Sequence, residues 1–302
     1  MKKVIAIVGP TAVGKTKLSI ELAKALNGEI ISGDAMQIYR GLDVGTAKVT
    51  ASEMEGIVHH LLDEKAPEEA YSVAEYQAAV RAKIDEITQR QKLPIIVGGT
   101  GLYVKAALYD YAFSDEAKPS GAQYEAFDNA ALHAKLAAVD PESAQILHPN
   151  NRRRVVRALN IYEETKQTKT AALAKQEKKL LYDATLIGLT DERAALYERI
   201  NGRVDAMIAN GLVQEVQALY EAGIPKEAQA IQAIGYKELY DFLAGATDLQ
   251  TATELVKRNS RRLAKRQYTW FRNQMDVEWF DVNVAQFDET VARVLAALQG
   301  NR

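Results

Sequence analysis

Gly9-Pro10-Thr11-Ala12-Val13-Gly14-Lys15-Thr16 is the stretch on which the reading of the chain turns. It fits G-x-x-x-x-G-K-[ST], the phosphate-binding loop. The apolar run Ile5 to Val8 enters it, and Lys17 to Leu26 leaves it with helical spacing. Strand, loop and helix in that order are the context the motif needs. Gly9 and Gly14 allow a tight turn with the backbone close to a ligand. Backbone N–H groups then point inward, reinforced by the positive end of the following helix. Lys15 offers a point charge to outer phosphate oxygens, and Thr16 offers a hydroxyl to Mg2+. The motif predicts a polyphosphate site and leaves open whether the ligand is a nucleotide.

The 302 residues suffice for one large domain with an insertion, or for two domains. No apolar run reaches the ~18–20 residues of a membrane span. Met1-Lys2-Lys3 leads directly into the first strand, so a signal peptide is not expected. Cysteine is absent, which excludes disulfides, thiol nucleophiles and cysteine-ligated zinc and fits a reducing cytoplasm. The four histidines make no recognisable zinc spacing. With a net charge of −2, a nucleic-acid partner would be held by local basic patches. Nothing demands more than a monomer.

Outward from the loop, Leu18, Leu22, Ala25 and Leu26 form the expected inner face of the first helix, which Gly28 ends. Glu29 to Ser32 is a second strand running into a polar, glycine-punctuated loop that contains Asp34. Ligand sites of open α/β sheets lie at strand carboxyl ends. Asp34 is therefore either a chemical group or a turn or N-cap residue. Ile57 to Leu62 reads as a third strand, with His59 and His60 structural. Ser72 and Glu75 make a capping box before a helix with Val73, Tyr76, Val80, Ile84 and Ile87 on one face. Leu93 to Val97 runs into Gly98 to Tyr103, a second glycine loop at the same sheet edge. A nucleotide hydrolase usually ends such a strand in an Asp that holds Mg2+. Gly98-Gly99-Thr100 stands there instead and counts against a plain ATPase, with Asp63 a weak substitute.

Residues 111–183 turn rich in Ala, Lys, Glu and Gln and read as an all-helical insertion into a core of residues 1–110 and 184–302. Within it, 122–139 is one expected helix. Asp140-Pro141 starts another, 152–165 a third, and 166–179 is polar and expected to be mobile. Arg152, Arg153, Arg154 and Arg157 surround their helix, so at least one is expected to meet a phosphate or carboxylate, unless they form a salt-bridged face. Ala184 to Leu189 returns to the sheet, and Asp191 is placed as the cap of the next helix. The helix at about 250–272 carries Arg258, Arg261, Arg262 and Lys265 on one side and ends in Tyr268, Trp270 and Phe271. Such a face suits phosphate or nucleic acid, and equally suits solvent. Val277 to Val282 and a helix from Gln286 close the chain.

GPTAVGKT, SGDAMQIYRGLDVGTAK, HHLLD, PIIVGGTGLY, HPNNRRRVVRAL, QAIGYKE and SRRLAKRQYTWFR, in this order, resemble the bacterial tRNA dimethylallyltransferase (tRNA isopentenyltransferase) family from residue 4 to about 280. The resemblance implies a P-loop NTPase-like α/β fold, a parallel sheet flanked by helices with a helical insertion domain. It implies transfer of a dimethylallyl group from dimethylallyl diphosphate to N6 of adenosine 37 in a tRNA anticodon stem-loop, with Mg2+. The loop Gly9, Pro10, Thr11, Ala12, Val13, Gly14, Lys15 and Thr16 would then hold a diphosphate, although its motif is shared with nucleotide- and ATP-binding proteins. Asp34 matches the general base and Thr100 the catalytic-centre threonine. Asp34, Ala35, Met36 and Gln37 match a segment meeting the target adenine. Arg153, Arg154, Val155, Val156 and Arg157 match a tRNA-contact segment, and Arg261 is the candidate for the diphosphate. Ala35 and Ser260 depart from the family's usual Ser and Thr.

The residue chemistry agrees. An exocyclic adenine amine is a weak nucleophile because its lone pair is delocalised, and a carboxylate that takes its proton contributes ~10²–10⁴ in rate. Loop amides, Lys15 and an Arg would stabilise the leaving diphosphate. Two other classes stand beside this one: a P-loop small-molecule or nucleoside kinase, with Asp34 deprotonating a hydroxyl, and a nucleotide-gated binding module without chemistry.

Overall fold

The computed structural model describes residues 1–111, 121–166, 168 and 179–300. The chain divides into two units, Met1–Leu108 with Leu180–Arg302, and Tyr109–Lys179. The first holds a sheet of order β3-β2-β4-β1-β5-β6, every described pair parallel. Its strands are β1 Lys3–Val8, β2 Gly28–Ser32, β3 His59–His60, β4 Leu93–Gly98, β5 Asp183–Thr190 and β6 Glu278–Asp281. The central strands are nearly continuous apolar runs, as a sheet covered on both faces requires. Val8 pairs with Gly98 and Ser32 with Val97, so the loops after β1, β2 and β4 leave the sheet at one level.

The helices of this unit are α1 Lys15–Leu26, α2 Ala51–Met54, α3 Val73–Gln89 and α4 Gly101–Leu108, and later in the chain α8 Arg193–Ala209, α9 Leu212–Glu221, α10 Tyr236–Leu243, α11 Leu249–Gln274 and α12 Phe287–Gly300. Helix α1 buries Leu18, Ser19, Leu22 and Ala23 while Ala25 is exposed, so its inner face is rotated from the expected one. The helix ends at Asn27, which takes the left-handed conformation (φ +52°). Gly28 is already strand, where a Cβ would lie 2.9 Å from the Leu93 carbonyl oxygen. Strand β3 covers only His59–His60, because Leu61 and Asp63 turn the backbone left-handed (φ +60° and +56°). The Ser72–Glu75 capping box is present. Glu192 caps α8 by accepting from the Ala195 N–H at 2.9 Å, and Asp191 pairs with Arg199 instead.

In the second unit, 122–139 is not one helix. A single 3-10 turn at Gly121–Tyr124 precedes extended Asp128, whose carboxylate caps α5 Asn129–Val139 by accepting from the Ala131 N–H at 2.7 Å. Asp140 caps α6 Pro141–Ile146 in the same way, and α7 Arg152–Thr165 completes the described helices of this unit. Val155 is fully buried against Leu132 and Leu136. Its side chain is core, so it could serve the expected tRNA-contact segment only through its backbone, and Val156 packs at the edge of the same cluster. The stretch 166–179 lies outside the described residues apart from Lys166, Thr168 and Lys179.

Candidate active site

The Gly9–Thr16 loop joins β1 to α1. Gly9 (φ +142°) and Gly14 (φ +103°) take backbone conformations that L side chains avoid. A Cβ on Gly9 would also lie 2.6 Å from the Leu189 carbonyl oxygen. Gly14 stands at the helix start without a side-chain cap. The first N–H groups of α1 are therefore available to an anion. Val13 points its side chain into the core, 1% exposed, and offers only backbone. Lys15 folds back over the loop, donating to the carbonyls of Gly9 (3.0 Å) and Pro10 (2.7 Å). Burial, and next the charge of Arg203, hold its pKa down to about 7 against the pull of Asp34.

Asp34 follows β2. Its Oδ1 accepts from the Met36 N–H at 2.8 Å, an Asx turn, and its Oδ2 makes no hydrogen bond to a described residue. The turn role weighed from sequence is therefore real and occupies one oxygen. Thr100, after β4, accepts the Ala35 N–H at 3.2 Å and so ties the second glycine loop to the Asp34 segment. Gln37 is engaged within its own loop: it accepts from the Ser32 hydroxyl (3.2 Å) and donates to the Thr46 carbonyl (3.3 Å). The following turn is clamped by Glu215 of α9, which accepts from the N–H groups of Asp43 (2.9 Å), Val44 (2.7 Å) and Gly45 (3.0 Å) and from the Tyr236 hydroxyl. Asp63, the substitute Mg2+ ligand, is paired with Lys48 at 2.5 Å.

Two cavities open at this sheet edge. One, about 1120 Å³, is lined by Gly14, Lys15, Thr16, Val49 and Arg199 among others. The other, about 580 Å³, is lined by Ala35, Met36, Thr100, Gln267 and Trp270 among others. Thr11, Lys15, Asp34, Gly99, Arg203 and Met207 line both. The candidate base thus sits where a cationic phosphate loop and a second cavity share walls.

Arg261, the expected diphosphate contact, stands apart from the loop. Arg261 lines neither cavity and donates to Asn201 on α8 at 2.5 Å. Two arginines of α8 face the loop instead: Arg199 donates to the Ala12 carbonyl at 3.3 Å, and Arg203 lines both cavities, its pKa lowered by burial and pulled back up by Asp34. Arg203 and Gln267, which the sequence did not single out, line the smaller cavity. A helix pattern says which residues share a face, and not which face meets a neighbouring loop. Arg258, Arg262 and Lys265 form an exposed stripe on α11. Arg152 donates to the carbonyls of Tyr124 (2.6 Å) and Phe127 (2.7 Å), a structural role, while Arg153, Arg154 and Arg157 are exposed.

Thr16 is exposed at the helix start, and no group of three or more His, Cys, Asp or Glu suited to a metal occurs among the described residues. One hydroxyl suits Mg2+ held mainly by substrate phosphate and water, and not a dedicated protein cage. No described helix is long and apolar enough to cross a membrane.

Residues 37–274 match the family model described as IPP transferase. A tRNA dimethylallyltransferase of Bacillus cytotoxicus is 58% identical over 99% of this chain and 95% of its own length. One of Anoxybacillus flavithermus is 55% identical over 99% and 97%. The crystal structure of the full-length tRNA isopentenylpyrophosphate transferase from Bacillus halodurans has a TM-score of 0.77 at 48% identity, covering 99% of this chain and 96% of that one. A eukaryotic dimethylallyltransferase captured acting on tRNA has a TM-score of 0.86 at 31% identity, over all of this chain and 79% of that one.

Proposed function

The chain belongs to the IPP transferase family, and from that premise we propose that it transfers a dimethylallyl group from dimethylallyl diphosphate to N6 of adenosine 37 in tRNA, releasing diphosphate. The observation that carries this is the pair of cavities sharing Lys15, Asp34 and Arg203. A diphosphate on the Gly9–Thr16 loop and a base in the smaller cavity would meet at the carboxylate. The kinase alternative has no support among the relatives, which are named as tRNA dimethylallyl- or isopentenyltransferases.

The adenine amine attacks the C1 carbon of the allylic chain as the C1–O bond to diphosphate breaks. The N6 proton passes to the open Oδ2 of Asp34, and the bond electrons leave with the diphosphate. Donors placed where that charge develops stabilise the transition state. Here they are the orphan N–H groups at the start of α1, Lys15 swung off its two carbonyls, and Arg203. Thr16 would hold Mg2+ together with diphosphate oxygens, and the ion would supply further charge neutralisation there. Thr100 acts on the Ala35 N–H and keeps the Asp34 turn in register with the glycine loop. A base in a folded anticodon loop must leave its stack to reach such a pocket. Exposed Arg153, Arg154 and Arg157 would hold RNA phosphates in the meantime. On the same reading the protein acts as a monomer in the cytoplasm.

The test uses purified protein, Mg2+ and tRNA lacking the modification, with labelled dimethylallyl diphosphate in one tube and γ-labelled ATP in another. Label recovered as N6-dimethylallyladenosine is expected. Phosphate leaving ATP without transfer in the first tube would overturn the proposal in favour of a kinase or NTPase.

A further inference from the structure

The amide of Gln267, on α11, has a fixed orientation. Its Oε1 accepts the Thr11 N–H at 2.9 Å. A backbone N–H needs an acceptor, so oxygen faces the loop and nitrogen faces away from it. The Nε2 makes no hydrogen bond to a described residue. It stands against Gly99, where a Cβ would lie 2.2 Å from that nitrogen, so any side chain at residue 99 would push the amide out of this position. Gly99 and Gln267 line the smaller cavity together with Asp34 and Thr100.

That cavity therefore offers the open carboxylate oxygen of Asp34 as an acceptor and, beside the cationic Lys15, Arg203, Lys237 and Arg266 that also line it, the amide N–H of Gln267 as a neutral donor. Adenine presents the complementary pair on either side of its amine: an N6–H donor beside a ring-nitrogen acceptor, N1 on one edge and N7 on the other. Guanine carries a carbonyl oxygen in place of the amine, which would face the Asp34 carboxylate. Asn and Gln reading adenine through such paired contacts is a general mode of base recognition. We propose that Gln267 is a specificity residue: its Nε2 donates to the ring nitrogen flanking the reacting amine, while its Oε1 stays on the phosphate loop. The inference rests on the transferase reading above. It adds that one side chain couples base identity to the loop that holds the leaving group.

Single-turnover transfer is measured with anticodon stem-loops carrying adenosine, 1-deazaadenosine or 7-deazaadenosine at the target position. The enzymes are the unmutated protein and Gln267→Glu. Glu can still accept from Thr11 but has no donor, so melting should be unchanged. One deaza base should slow the unmutated enzyme by about tenfold, the worth of one buried hydrogen bond. Gln267→Glu should slow adenosine transfer at least as much and be slowed little further by that same base. Changes in amine reactivity, and the added charge, cancel in the cycle. Which analogue couples identifies the edge, N1 or N7. Losses that multiply for both analogues, or no loss with either, would return Gln267 to supporting Thr11 alone. Failure of the unmutated enzyme to modify plain adenosine would sink the transferase reading itself, and this inference with it.

Discussion

Strand β2 carries a carboxylate at each end, and their surroundings are opposite. Glu29, near its start, is 3% exposed and is met by Arg90 (2.6 Å), His60 (2.7 Å) and Lys92 (3.0 Å). Burial alone would push its pKa up, but hydrogen bonds from Arg90, then His60 and Lys92, bring it down to about 2. Asp34, just past the other end, accepts one N–H from its own turn and meets its cations, Lys15 and Arg203, only across cavity space. A saturated carboxylate ties the sheet to its surroundings. The one with an oxygen left open is, on the proposed reading, the acceptor of the N6 proton. On that reading the same residue class divides into structure and chemistry according to what the strand end already provides.

The largest effect is expected at the open end. Asp34→Asn should lower single-turnover transfer by about 10²-fold or more, with tRNA binding little changed. Near-normal rates would show that the open oxygen takes no proton. Arg203→Ala should cost about 10²-fold in kcat, the scale of one donor aimed at developing charge. An equal loss from Arg261→Ala would put both arginines on the leaving group. At the saturated end, Glu29→Gln should remove about 2–3 kcal/mol of stability by urea unfolding while leaving kcat near normal. The Glu29 contribution is present above the ordinary glutamate value of 4.5 and is lost as pH falls toward about 2. In Glu29→Gln that acid-side slope should be absent.

A smaller effect concerns Lys15. With its pKa near 7 in the free protein, diphosphate must draw a proton onto the amine above that pH. Affinity for inorganic diphosphate should fall by up to about tenfold per pH unit above 7. Calorimetry at pH 8 in buffers of different ionisation enthalpy should register net proton uptake. Its absence would mean that Lys15 stays charged beside Arg203. The unliganded fold carries the complementary sign: the buried ammonium costs stability below pH 7, and the cost fades toward 10.5. The smallest effect repeats the contrast on α7, where Arg152 is spent on carbonyls and Arg153 and Arg154 are exposed. Neutralising those two should flatten the salt dependence of tRNA binding by roughly 0.7–0.9 in log–log slope per lost contact. An unchanged slope would assign them to solvent.

Much of the core was legible because its determinants are local. The Gly9–Thr16 spacing, the apolar strands and the Ser72–Glu75 cap each act within a few residues. Asp34 was legible by position, since β2 must deliver it to the sheet edge. The placement of Arg203 and Gln267 at the cavities was not, because it depends on how α8 and α11 are rotated against loops more than a hundred residues away. Arg261 carried the obvious charge in the basic helix and was captured by Asn201, whereas neutral Gln267 a turn and a half further on reached the phosphate loop. At 122–139, Asp128 competed as a cap and won over the helical composition around it.

The Glu215 clamp has a consequence for exchange with solvent water. Asp43, Val44 and Gly45 lie in a polar loop, yet their three amides converge on one carboxylate that Tyr236 also grips. Deuterium should enter these amides slowly, at the pace of the strands and not of a surface turn. One polar wall of the two cavities is thereby fixed in the unliganded fold, without the entropy that ordering a loose segment on binding would demand.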